Sequence, residues 1–200
     1  SQSQPIKAAL IHKEYSNNYF PLTHIQQAYL LGRFGDYKLG GIATQRYVEY
    51  SYSQHLDYVR LEAAINQLIK RHAMLRNTFS VDRMVHITHS GYNYQLHIND
   101  YSIYSESDFQ HEILKIRNEM LSKKFDVTKL PLFEIKISRG ANGDRLHFLS
   151  DILIMDAHSL NIFRQELTLL YHGHKLNEVE LTFRDYIESK AELGSNLAHL

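Results

Sequence analysis

Apolar residues along this chain switch repeatedly between alternating and helical spacing, and each switch predicts an element. In RYVEYSY (46–52), Val48, Tyr50 and Tyr52 share one side of an alternating run, which predicts a strand. Leu61, Ala64, Ile65, Leu68 and Ile69 then recur at helical spacing behind Asp57, a side chain suited to cap a helix start. That helix ends near RHAMLR (71–76), and NTFSV (77–81) reads as extended. MVHITH (84–89) and YNYQLHI (92–98) are short strand candidates around a Ser90-Gly91 turn. Ser105 opens a helix with an acidic first turn, and Phe109, Ile113, Ile116 and Met120 form its apolar face. Phe133, Ile135 and Ile137 alternate with Glu134, Lys136 and Ser138, predicting a strand with one wet face. Asn142-Gly143 signals a hairpin turn, from which RLHFLSDI (145–152) returns antiparallel. Behind Asp156, Leu160, Phe163, Leu167 and Leu170 predict a helix stopped at Gly173, and FRDYIESKAEL (183–193) predicts a last one.

Residues 1–19 are polar and without sustained period, which reads as a linker or lead-in. Organised structure is expected from Phe20, with Thr23 capping a short helix, THIQQAYLLG (23–32), closed by Gly32. FGDYKLGG (34–41) reads as a glycine-punctuated loop. The element order predicts a mixed α/β (α+β) sandwich over residues 20–200, a mixed β-sheet flanked by helices, rather than a regular βαβ repeat.

Composition narrows the function classes. Lysine plus arginine (22) equals aspartate plus glutamate (22), which argues against a nucleic-acid footprint or a basic membrane patch. The absence of cysteine excludes disulfides, thiolate catalysis and cysteine metal sites. No apolar run approaches membrane-spanning length and the first residues lack the layout of a secretion signal, so a cytoplasmic location is expected. The 13 histidines are scattered, with no pair at i, i+4 spacing, so structural or surface roles are expected and no metal site.

The candidate chemistry lies in SDILIMDAHSL (150–160). Asp151 ends an apolar run, on the strand face of His147 and Leu149, and Asp156 follows where strand becomes helix. A buried carboxylate without a partner is costly, so Asp151 needs a donor, and Arg33, Arg76 and Arg145 are candidates. Asp156 has two readings, an N-cap accepting from His158 or Ser159, or a pocket carboxylate at a strand end. A metal hydrolase built on Asp151, Asp156 and His158 is disfavoured, because these residues cannot converge on one ion from a strand and a helix start. Ser159 by itself is a helix-start residue, since no Gly-x-Ser-x-Gly elbow surrounds it.

Four blocks, FPLTHIQQAYLLGR (20–33), RHAMLR (71–76), DILIMDAHS (151–159) and LTFRDYI (181–187), resemble in order and spacing the N-terminal part of the heterocyclization domains of nonribosomal peptide synthetases. These are relatives of the condensation domains, whose His-His-x-x-x-Asp-Gly motif carries its functional imidazole at its second histidine. Aligned to that motif, Asp151 takes the first histidine position, Ile152 the second and Asp156 the aspartate, with Ala157 for the glycine. Ile152 cannot move a proton, whereas the Asp-x-x-x-x-Asp-x-x-Ser pattern of the cyclizing subfamily is complete through Ser159.

The resemblance implies a chloramphenicol-acetyltransferase-like lobe, one of two that form a V around the active site. It implies no directly bound cofactor. Phosphopantetheine arms of upstream and downstream peptidyl carrier proteins would deliver an acyl thioester and a carrier-bound Cys, Ser or Thr, to be joined and cyclodehydrated to a thiazoline or oxazoline. Asp156 and Asp151 are the catalytic candidates with Ser159 in support, Asp151 mainly structural and Asp156 divided between organising the site and direct chemistry. Further catalytic positions belong to a C-terminal lobe absent from this chain, so cyclization by the chain alone is not expected. Its uncovered apolar face would favour self-association. A noncatalytic, structural or carrier-docking role in a synthetase is the alternative.

Overall fold

A computed structural model describes residues 18–34 and 44–197, with backbone alone at residue 34 and from residue 191. Most of the lead-in and most of the 34–41 loop lie outside these residues. The elements are β1 (Tyr19–Pro21), α1 (His24–Phe34), β2 (Gln45–Tyr52), α2 (Tyr58–Arg71), a 3₁₀ turn (Ala73–Arg76), β3 (Asn77–Ser80), β4 (Val85–Thr88), β5 (His97–Asp100), α3 (Glu106–Ser122), β6 (Phe133–Arg139), β7 (Asp144–Asp151), α4 (Ala157–Tyr171) and α5 (Phe183–Leu197). This is the expected mixed sheet flanked by helices.

A four-stranded sheet, in the order β2-β7-β6-β5, forms the middle layer, with β5 parallel to β6 and the other pairs antiparallel. On one face, Phe133, Ile135, Ile137, Leu146 and Phe148 pack against Leu61, Ile65, Leu68 and Ile69 of α2 and Leu160 and Phe163 of α4. On the other, Ile116 and Met120 of α3 cover Leu149. The expected wet face of β6 is therefore corrected: Ser138 is fully buried and Lys136 is 9% exposed, its ammonium paired with Glu119 of α3 at 2.8 Å. Alternation reported that face as polar, and a second helix covered it by supplying partners for the polar groups.

The helix starts follow their caps. The carboxylate of Asp57 accepts from the Arg60 N–H at 3.0 Å, and the Ser105 hydroxyl accepts from the Asp108 N–H at 3.2 Å. Gly173, at φ +81°, ends α4 in the left-handed conformation, with its N–H on the Leu170 carbonyl. Gly32 does not stop α1, which runs on to Phe34. The two strands flanking Ser90-Gly91 do not pair: β4 joins β1 and β3 in a small separate sheet, while β5 starts only at His97 and joins the large one.

The β6–β7 turn closes through a Gly140 N–H to Gly143 carbonyl bond of 2.8 Å. A Cβ on Gly143 would lie 2.1 Å from the Tyr52 carbonyl oxygen, so the close approach of β2 requires glycine there. Gly143→Ala is expected to lower stability by about 1–3 kcal/mol. The urea midpoint checks this, and an unchanged midpoint would contradict the contact.

Candidate functional site

The end of β7 turns sharply into α4, and this turn holds both acids. Leu153, Ile154 and Met155 point into the core, at 1%, 6% and 4% exposure, which leaves residues 156–159 outside. Asp151 is fully buried. Of its three candidate partners the structure selects Arg33 of α1, whose guanidinium pairs with Asp151 Oδ2 and donates to the Thr44 hydroxyl at 2.7 Å. Arg76 instead donates to the Ile69 carbonyl at 2.8 Å, and Arg145 pairs with Glu49 at 2.7 Å. Asp151 Oδ1 accepts from the Leu153 N–H at 3.0 Å, folding the turn back on itself. Burial pushes the Asp151 carboxyl above the ordinary aspartate value, and the Arg33 charge opposes that rise.

Asp156 is exposed and caps α4, its Oδ1 accepting from the Ser159 N–H at 2.8 Å. That bond, aided by the Ser159 hydroxyl, holds its carboxyl below the ordinary range. Ser159 is thus the cap's partner, exposed at the third position of the helix. A carboxylate in this state accepts hydrogen bonds and stabilises positive charge, but it is a poor proton donor near neutral pH. Ile152 is half-buried, places no titratable group in the turn, and donates its N–H to the Thr44 carbonyl at 2.9 Å.

A cavity of about 300 Å³ lies under the C-terminal half of α4, bounded by Tyr50, Phe148, Phe163, Leu167 and Tyr171. Neither acid lines it. The pocket expected at the strand end is instead an open surface, because the turn spends its inward side on the core.

The first and third sequence blocks meet at this turn, and the other two pack against elements beside it. Gln26 and Arg33 of the first block reach Leu153 and Asp151 of the third. Phe183 of the last block lies edge-on to Phe20 of the first, with centroids 6.3 Å apart. Arg71 and His72 of the second pair with Glu166 of α4. Gln26 was not anticipated as a site residue. Its signal was the Thr-x-x-Gln spacing from Thr23, a reciprocal capping box, together with its place one heptad before Arg33.

Residues 16–198 match the condensation domain family. The chain belongs to that family. It is similar to bacitracin synthase 1 of Bacillus licheniformis (34% identical over 171 residues) and to phenyloxazoline synthase MbtB of Mycobacterium sp. (strain MCS) (32% over 168 residues), each match covering 84% of this chain. It spans only 3% and 14% of those two proteins. Among solved structures it resembles the EpoB cyclization-docking bidomain of Sorangium cellulosum, 28% identical, with a TM-score of 0.81 over 90% of this chain and 36% of that one.

Proposed function

We propose that this chain is the N-terminal half of a heterocyclization domain in a nonribosomal peptide synthetase. Such a domain condenses a carrier-bound acyl group with carrier-bound Cys, Ser or Thr and cyclodehydrates the product to a thiazoline or oxazoline. The observation that carries the reading is the turn itself: two acids and Ser159, with Ile152 where a condensing domain would place its imidazole. The EpoB protein is a cyclization-docking bidomain and MbtB a phenyloxazoline synthase, which supports ring formation over simple condensation.

In this reading Asp151 and Arg33 hold the wall of the site, and Asp156 presents a fixed carboxylate where the amide carbonyl is converted to a leaving hydroxyl. Peptidyl carrier proteins bring both substrates on phosphopantetheine arms, and a second lobe closes the open surface at Asp156. Among the described residues no helix is long and apolar enough to cross a membrane, which suits work beside cytoplasmic carriers.

The test uses the complete synthetase domain with acyl- and cysteinyl-carriers, measuring uncyclized peptide and ring product separately. Asp156→Asn is expected to lower ring formation by roughly a hundredfold, the scale of a misplaced reacting group. Wild-type enzyme that released only linear peptide would overturn the reading.

A further inference from the structure

Gln26 is only 8% exposed, and its amide is bonded at both ends. Its Oε1 accepts from the Thr23 N–H at 3.1 Å and from the Thr23 hydroxyl at 3.1 Å, and lies 3.1 Å from Nε2 of the buried His86. Its Nε2 donates to the Leu153 carbonyl at 2.9 Å. Since Asp151 holds the Leu153 N–H, the Leu153 residue is clamped through its N–H and its carbonyl. Gln26 and Arg33 lie two helical turns apart on one side of α1, so this helix splints the turn at two points.

We infer that Gln26 is a positioning residue that fixes the Asp151–Asp156 turn and thereby sets where the Asp156 carboxylate stands. The inference rests on the ring-forming reading above for its catalytic consequence, but the clamp is a matter of geometry. The task requires an amide. A carboxylate could accept from Thr23 and His86 but could not donate to Leu153, and an apolar side chain could do neither. His86 supports the arrangement from behind: its ring stacks on Phe20 at 4.1 Å, and its Nδ1 faces the Asn77 amide at 3.3 Å. With the ring proton on Nε2, His86 donates to Gln26 and Asn77 donates to His86, so each bond in the chain has a donor and an acceptor. The small β1-β4-β3 sheet is in this way coupled to the site.

Two variants test the assignment, Gln26→Glu, which keeps shape and loses the donor, and Gln26→Met, which loses the donor without burying a charge. In the complete domain each is expected to lower kcat for ring formation about tenfold, the equivalent of one displaced hydrogen bond, with KM for both carriers unchanged. In this chain, amide hydrogen exchange of Leu153 and Ile154 is expected to quicken about tenfold while Ile65 and Leu68 in α2 keep their protection. Unchanged exchange at Leu153 in both variants, or a loss of activity that appears only as a raised carrier KM, would overturn the inference. A wild-type domain that made no ring would defeat the functional reading alone, and exchange would still decide the clamp.

Discussion

Replacing Asp151 with asparagine is expected to lower folding stability by about 3 kcal/mol, toward the lower end of the range for breaking a buried ion pair. The loss comes chiefly from Arg33, which keeps its charge in a site 13% exposed and has no counter-charge left there. Attraction forgone is the smaller part, because burial already raises the Asp151 carboxyl above its ordinary value despite the guanidinium beside it. The asparagine still accepts from the Leu153 N–H, so the turn keeps its shape. It follows that Asp151→Asn combined with Arg33→Met should recover most of the lost stability, since the second substitution removes the stranded charge that causes most of the loss. Urea unfolding of the two single variants and the double variant gives the coupling energy. Additive losses would mean that the two side chains do not act as a pair.

Much of this architecture was legible because it is local. Asp57, Ser105 and Asp156 cap helices that begin within three residues of them, and the buried stripes of α2 and α3 are those that helical spacing marks. What was not legible depends on partners far along the chain. Arg33 and Asp151 are 118 residues apart, and only the folded chain could choose among three arginines. Lys136 and Ser138 looked solvent-facing because polarity in a strand does not reveal whether a helix covers it. Gln26 is buried by a partner just as distant, the Leu153 carbonyl 127 residues away. Gly32 and Gly173 carry the same stop signal, yet only Gly173 adopts the left-handed backbone. Two turns of α1 are pinned at Gln26 and Arg33, and tertiary bonds of that kind outweigh the cost of a helical glycine. In the site, the pattern of acids and the need of Asp151 for a donor were legible, but the donor it takes was not. Asp151 is buried and paired with Arg33, while the cap leaves Asp156 an exposed carboxylate.

Between pH 8 and pH 5 the folded state is expected to lose about 4 kcal/mol, through two fully buried histidines. Burial lowers His86 to about 3 and His147 to about 4 from the ordinary 6.5. Both rings are saturated without a charge. His86 lies between Asn77 and Gln26, and His147 between the Tyr47 hydroxyl at 2.7 Å and the Ser138 hydroxyl at 3.0 Å. Around His147 the negative Glu49 favours protonation, but Arg145, Arg117 and Lys136 oppose it. The sign follows from which state takes up protons first. Below about pH 6.5 the unfolded chain protonates both rings while the folded chain does not, so stability is complete above that pH and falls as acid is added. At pH 5 each ring contributes roughly 2 kcal/mol of that loss, 1.5 pH units at about 1.4 kcal/mol each. The carboxyls held low, including Glu49 and Asp156, also lose stability as acid is added, so it is the histidine variants that isolate the contribution of the rings. Urea midpoints from pH 8 to 5 should show two protons taken up on unfolding, and His86→Asn or His147→Asn should each remove one of them. Stability that stayed flat to pH 5 would mean that both rings already take up their protons in the folded chain, and that the neutral relay from Asn77 through His86 to Gln26 is not how the turn is held.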